Sequence, residues 1–457
     1  MAREHNGPND KLDDFIRALL ERAKASGIER AEAYSSRGES FKSLVENGEI
    51  YEYEVHSSGG LALRGLVGGK MGIAYTEAFD EEAIGMLIER VLESAALIED
   101  PDEQFLFEGS PSYERVDTLA STPGGGSEAE KIEYSCDLER RALSMHPLVK
   151  KLGHTTGVES ERSEVRIVGT NGLNLYHAAD TLVAIISVVA KRDDIARDAT
   201  CFRIGRELAD IPTDEMVREA IDTAVFQLDA RPCESGTYDI IFNCDAMSAL
   251  LGTFSGVFSA ENTQKDLSML KGKVGEEIAS AVVTLADDPL LPRGVSTRPF
   301  DDEGVAARRK NVIENGRLTT LLHNLKTAKK DGVESTGNAA KAGYASPVRV
   351  APSNFYFVPG DDTLDALMER MGDGLTLTEL AGLHSGADAV SGDFSLPAKG
   401  YRVRGGKKAE AVDQITVAGN FYTLLKQIKA FANDLVFPTG STGSPSVWAG
   451  RLSIAGK

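Results

Sequence analysis

Phe41-Lys42-Ser43-Leu44-Val45-Glu46-Asn47-Gly48-Glu49-Ile50-Tyr51-Glu52-Tyr53-Glu54-Val55 is the stretch on which the fold turns. The run 50–55 alternates in the period of a strand. Asn47-Gly48 separates it from the apolar run 41–45. Both residues tolerate positive φ, so the pair predicts a hairpin turn. Upstream, Leu12, Phe15, Ile16, Leu19, Leu20 and Ala23 recur at helical spacing, and Gly27 marks a stop, predicting a helix over 10–26. Downstream, glycines punctuate 59–72 and leave two short strands, 61–66 and 71–75. Asp80 is placed to cap a second helix over 81–98. Residues 1–100 therefore read as an α-β-β-β-α unit.

A linker follows over 101–126, with Pro101, Pro111, Pro123 and the run Gly124-Gly125-Gly126. The middle unit, 127–230, begins with a helix over 127–146. Four strand signals come next, at 165–168, 173–177, 182–190 and 199–205. Tight turns at Asn171-Gly172 and Asp193-Asp194 favour an antiparallel meander. A helix over 213–228 closes the unit. The third unit, 236–457, opens with a strand at 238–243, and Asp245 caps a small-residue helix over 246–260. A second Asn-Gly hairpin sits at Asn315-Gly316, and a helix covers 422–432. The fold class is α+β: mixed helices and largely antiparallel sheets in two to three units.

Composition sets the outer limits. A chain of 457 residues exceeds the size of a single core. Its 70 acidic and 50 basic residues give a net charge of −20, which opposes contacts to phosphate backbones and anionic lipids. Four cysteines are too few for a disulfide scaffold. Residues 1–10 lack the apolar core of a signal peptide, and the longest apolar run, 182–190, is too short to span a bilayer. The expectation is a reduced, cytoplasmic protein that binds neither nucleic acid nor membrane.

Local chemical motifs are scarce. The seven histidines include no pair one helical turn apart, and no Cys-x-x-Cys occurs. Gly69-Lys70 precedes Met71, and Arg64 stands where a phosphate loop needs its first glycine. No Gly-x-Ser-x-Gly elbow exists. Ser268-Met269-Leu270-Lys271 matches Ser-x-x-Lys but lacks a Lys-Thr-Gly companion. Asp301-Asp302-Glu303 offers three adjacent carboxylates, suited to a cation, to a peptide amine or simply to a solvated turn. Arg308-Arg309-Lys310 follows closely enough to pair with them.

Several longer segments resemble one family. They are Asp301-Asp302-Glu303-Gly304-Val305 leading to Asn311-Val312-Ile313-Glu314-Asn315-Gly316, Ser335-Thr336-Gly337-Asn338-Ala339, Ser391-Gly392-Asp393-Phe394-Ser395, and Ile415-Thr416-Val417-Ala418-Gly419-Asn420. Together with Val45-Glu46-Asn47-Gly48 they resemble the TldD/PmbA family, also called "modulator of DNA gyrase", and its PmbA (TldE) branch in particular. The role of Asp301, Asp302, Glu303, Gly304, Asn315, Gly316, Asn338, Gly392, Gly419 and Asn420 is left open by the resemblance. The TldD branch carries a helical His-Glu-x-x-x-His motif and a later cysteine that hold a metal for peptide hydrolysis. On this sequence Gly252, Thr253 and Val257 fill those positions, with Gly256 between them. No cysteine lies beyond Cys244, and residues 438–443 take its place.

The resemblance implies a non-catalytic subunit of a cytoplasmic two-subunit metallopeptidase. Such assemblies mature modified peptides and degrade small or unfolded proteins. It implies no cofactor in this chain, with zinc or a similar divalent metal only in a TldD-type partner. It also implies a heterodimer, or a homodimer in isolation, and a chamber lined by Gly252, Thr253, Gly256 and Val257. Two alternatives stay open: an autonomous peptidase or hydrolase with an unrecognised nucleophile, and a peptide-binding module without catalysis.

Overall fold

The computed structural model describes residues 10–99, 105–153, 155–438 and 440–457. Part of the linker, His154, Thr439 and the polar residues 1–9 lie outside them. Helix α1 (Asp10–Ala25) is followed by strands β1 (Arg30–Glu46), β2 (Glu49–Val67) and β3 (Lys70–Thr76), then helix α2 (Glu81–Ala96). The Asn47-Gly48 turn forms as expected, with φ of 56° and 77°. Asp80 caps α2 by accepting from the Ala83 amide at 2.9 Å.

The strands run longer than their sequence signals. Runs 50–55 and 61–66 belong to one strand, β2, and Gly59-Gly60 does not break it. Gly60 serves a close approach instead: a Cβ there would lie 2.5 Å from the Tyr344 ring.

Helix α3 (Glu128–Met145) starts at a capping box between Ser127 and Glu130. Strands β4 (Val149–Leu152), β5 (Thr156–Gly169), β6 (Asn174–Arg192) and β7 (Ile195–Gly205) follow, then helix α4 (Thr213–Gln227). The expected four-strand meander is corrected here, because 173–177 and 182–190 fuse into β6. Buried Asp180 passes through the middle of that strand. Its carboxylate accepts from the linker amides of Ala120 at 3.0 Å and Gly124 at 3.2 Å, so the charge is satisfied without a turn. The first two units also share one sheet. β1 pairs antiparallel with β5 from Glu32↔Gly169 to Val45↔Thr156, giving seven strands in the order β3-β2-β1-β5-β6-β4, with β7 also on β6.

The third unit starts with β8 (Gly236–Phe242), which runs directly into helix α5 (Cys244–Phe254). Strands Lys407–Asn420, Asp393–Arg404, Gly374–Leu380, β8 and Val447–Ala455 pair in that order, and the last pairs back to the first, closing a ring. A separate small sheet contains β9 (Leu285–Asp287), β10 (Lys310–Glu314) and β11 (Arg317–Leu318). The main core fills the space between these sheets and α5, with Phe242, Phe254, Phe258, Phe355, Phe357 and Phe421 fully buried.

Two helix expectations need correction. The helix read over 246–260 changes to a 3-10 turn at Ser255–Phe258. The carbonyls released there are satisfied by side chains: Ser255 Oγ donates to Gly252 O at 2.8 Å and Asn262 Nδ2 to Gly256 O at 2.8 Å. Asn243, not Asp245, is the cap. The helix read over 422–432 ends at Gln427, because Ala430–Phe431 pair with Trp448 and Val447 as a strand. Among the described residues no helix is long and apolar enough to cross a membrane.

Candidate functional site

Helix α5 carries the positions of the degenerate motif. Ala246, Met247, Leu250, Leu251 and Phe254 face the core, leaving Ala249, Gly252, Thr253 and Gly256 on a half-buried stripe. An ideal Cβ on Gly252 would lie 3.8 Å from Thr442 Oγ1, which is ordinary contact. The helix therefore faces the segment that stands where the later cysteine is expected. Gly443 beside it must be glycine, since a Cβ would sit 2.8 Å from the Phe437 ring.

Two hydroxyls near this helix serve the backbone. Thr253 Oγ1 donates to Ala249 O at 2.9 Å, and Ser268 Oγ donates to Val257 O at 2.6 Å. Val257 itself is 1% exposed and belongs to the core, not to an open surface. The thiol on this helix, Cys244, is pushed well up by burial and then by the Asp245 charge, which keeps it protonated. Among the described residues no group of three His, Cys, Asp or Glu is placed to hold a metal ion. The residues at α5 therefore do not fit a catalytic metal: glycine and valine bring no donor, and the threonine hydroxyl is engaged with its own helix.

The acidic motif is not a solvated turn. Asp301 is 1% and Glu303 7% exposed. Asp301 accepts three amides, from Glu303 and Val305 at 3.0 Å and Ala339 at 2.9 Å. Asp302 accepts from the Tyr34 hydroxyl at 2.8 Å and the Lys341 amide at 2.8 Å. Glu303 accepts from the Leu325 amide at 2.8 Å and lies 4.0 Å from Arg64, whose guanidinium donates to Glu32 at 2.6 Å and 3.0 Å. Lys341 Nζ sits 3.9 Å from the Tyr34 ring centroid. These carboxylates clasp the third unit to β1 and β2. Burial pushes Asp301 up to about 6 and Glu303 up to about 7, and it pulls Lys341 down to about 8.

The basic cluster pairs elsewhere. Arg308 reaches Glu334 at 3.4 Å, Arg309 reaches Asp288 at 3.6 Å, and Lys310 reaches buried Asp287 at 2.7 Å. Asn338, fully buried, accepts from Lys310 and donates to Asp287 and Ala351 O.

The other motif residues are structural too. Asn315 and Gly316 take φ of 49° and 84° in the β10–β11 turn. Gly304, at φ 85°, packs on Leu173 and Leu175, and Gly392 and Gly419 admit the rings of Tyr422 and Phe394. Asn420 caps the helix Phe421–Gln427 and donates to Asp393 at 2.8 Å.

Sequence reading missed Glu32, Tyr34, Arg64 and Lys341. The one available signal was a charged residue within an apolar strand: Glu32 between Ala31 and Ala33, and Arg64 after Leu61-Ala62-Leu63.

A three-part fold with a helix at the position of a metallopeptidase motif defines a class, and the chain belongs to the PmbA/TldD metallopeptidase family. Residues 31–95 match PmbA/TldA metallopeptidase domain 1, 123–228 the central domain, and 235–456 the C-terminal domain. The chain is 26% identical over 431 residues to Metalloprotease PmbA of Escherichia coli O157:H7, with 92% of each chain covered. It is 28% identical over 435 residues to a metalloprotease of Methanothermobacter thermautotrophicus, covering 91% of this chain and 90% of that one. A Thermotoga maritima crystal structure described as a modulator of a DNA gyrase superposes with a TM-score of 0.89 at 31% identity, covering 97% of this chain and 100% of that chain. The fold also matches TldE from Thermococcus kodakarensis, with a TM-score of 0.86 at 22% identity, over 97% of this chain and 100% of that one.

Proposed function

We propose that this chain is the non-catalytic, PmbA/TldE-type subunit of a two-subunit metallopeptidase that processes or degrades peptides and small or unfolded proteins. The observation that carries the reading is at α5. The family fold is kept, yet Gly252, Thr253 and Val257 supply no metal donor, and the hydroxyls of Thr253, Ser255 and Ser268 bond to backbone carbonyls. The partner is a TldD-type chain that carries the metal, and this chain supplies walls for a shared peptide chamber. Its place is the cytoplasm, and its charge of −20 argues against a nucleic-acid role.

Co-purification from the native cell tests the reading. The expected result is a complex with a chain bearing the intact His-Glu-x-x-x-His helix, metal in the complex, and peptidase activity abolished by chelation. Stoichiometric zinc in this chain alone, or peptide cleavage by it alone that resists chelators, would overturn the proposal.

A further inference from the structure

Among the described residues, the far half of β2 is a strand edge with no pairing neighbour on its outer side. β3 pairs with β2 only from Leu61↔Thr76 to Val67↔Lys70. Between Glu49 and Gly60, β2 pairs with β1 on one side, and among the described residues no strand pairs with its other side. Every residue from Glu49 to Ser58 except Glu52 is exposed, including Ile50 at 48%, Tyr53 at 47% and Val55 at 57%. Edges of this length are normally shortened, capped with lysine or proline, or covered, because their free amides and carbonyls recruit another strand. Residues 49–58 hold no lysine or proline; the protections they carry are the glutamates Glu49, Glu52 and Glu54 and a bulge at Tyr51, where Leu44 pairs with Glu52 and Val45 with Ile50.

The charge around the edge is one-sided. Successive strand residues point to opposite faces, so Glu52 and Glu54 share a face and Tyr53 and Val55 share the other. Cross-strand pairing puts Lys42 opposite Glu54 and Glu159, and Ser40 opposite Glu161, on the acidic face. Lys42 Nζ lies 2.9 Å from Glu52 and 3.6 Å from Glu159. Glu52, Glu54 and Glu159 thus surround Lys42, with Glu161 two residues further along the same face.

We infer that this edge takes up an extended peptide with Lys or Arg at alternate positions and apolar residues between. The backbone would pair with β2, the basic side chains would meet Glu52, Glu54 and their neighbours, and the apolar ones would continue the Tyr53–Val55 face. A second copy of this chain paired about the centre of the edge is disfavoured. Two-fold antiparallel pairing about Tyr53 would set Glu52 against Glu54 twice, and like charges directly opposite are destabilising. The inference rests on the peptide-handling role proposed above and assigns it a place.

The test uses the full chain and a fluorescein-labelled heptapeptide alternating Lys and Val, followed by fluorescence anisotropy at low and physiological salt. The expected result is saturable binding that weakens with salt, with at least tenfold weaker binding of the matching Glu/Val peptide. Glu52→Lys combined with Glu54→Lys should invert that preference while circular dichroism stays unchanged, and Glu54→Lys alone should shift it in the same direction. Equal binding of both peptides, an unchanged preference in the variants, or sedimentation showing self-association lost in the variants would overturn the inference. The assay needs no partner subunit. Absence of binding here alongside an active complex would therefore remove this site and leave the proposed function standing.

Discussion

The Tyr34 hydroxyl donates to Asp302 Oδ1 at 2.8 Å, joining the first strand of the molecule to a loop 268 residues away. Tyr34 is 2% exposed, and its ring also lies under Lys341 Nζ. Removing the hydroxyl leaves a carboxylate oxygen in a desolvated junction. Tyr34→Phe should cost about 1–3 kcal/mol, the range for an orphaned buried acceptor. Chemical denaturation at pH 7 measures it. An unchanged midpoint would show that the bond contributes nothing to docking the third unit.

The same clasp makes stability depend on pH. Burial holds Glu303 at about 7 and Asp301 at about 6, both above the ordinary carboxylate range. The folded chain therefore keeps protons that the unfolded chain releases near pH 4. Stability is highest when both groups are protonated and falls as pH rises through 6 and 7. Lys341, pulled down to about 8, acts in the opposite sense and only above that pH. Thermal unfolding from pH 5 to 8 should show the decline, and Glu303→Gln should flatten it. A wild-type profile that is flat or rises over this window contradicts the assignment.

What the sequence made legible follows range. Turn chemistry acts between neighbours, so Asn47-Gly48, Asn315-Gly316 and the capping residue Asp80 were readable. Helices α1 to α4 came from local periodicity and ended within two residues of expectation. Strand lengths were less readable, because a glycine pair or a buried aspartate looks like a break. Gly59-Gly60 and Asp180 are explained by distant partners, the Tyr344 ring and the linker amides. The same holds at the clasp: Asp301-Asp302-Glu303 looks solvated until Tyr34 and Arg64 are brought against it. Motif identity at 252, 253 and 257 was readable as residue types. The burial of Val257 and the inward bond of Thr253 required the fold.

The hairpin tip depends on one carboxylate. Glu139 of α3, 3% exposed, accepts from the Asn47 amide at 2.7 Å and the Gly48 amide at 2.6 Å. Charge-assisted bonds to buried groups contribute about 1.5–3 kcal/mol each. Glu139→Ala should free the tip, speeding hydrogen exchange at Asn47 and Gly48 at least tenfold and lowering stability by about 3–6 kcal/mol. Exchange at these amides that stays at the wild-type rate would mean that the turn holds itself.

Thr253 separates the non-catalytic reading from a catalytic one. Its Oγ1 donates to Ala249 O at 2.9 Å, four residues earlier in its own helix, and so has no free proton to give to a substrate. A bond of this kind competes weakly with helix geometry, and alanine is the better helix former by a few tenths of a kcal/mol. Thr253→Ala should leave the fold intact, with unfolding shifted by less than about 1 kcal/mol. In a complex reconstituted with a metal-bearing partner, peptidase activity should stay within a few-fold of wild type. The comparison is made as kcat/KM on one peptide, with chelation abolishing both rates. A loss near a thousandfold, about 4 kcal/mol of transition-state stabilisation, would mean that this hydroxyl leaves its helix to act in the reaction, and the subunit would then be catalytic.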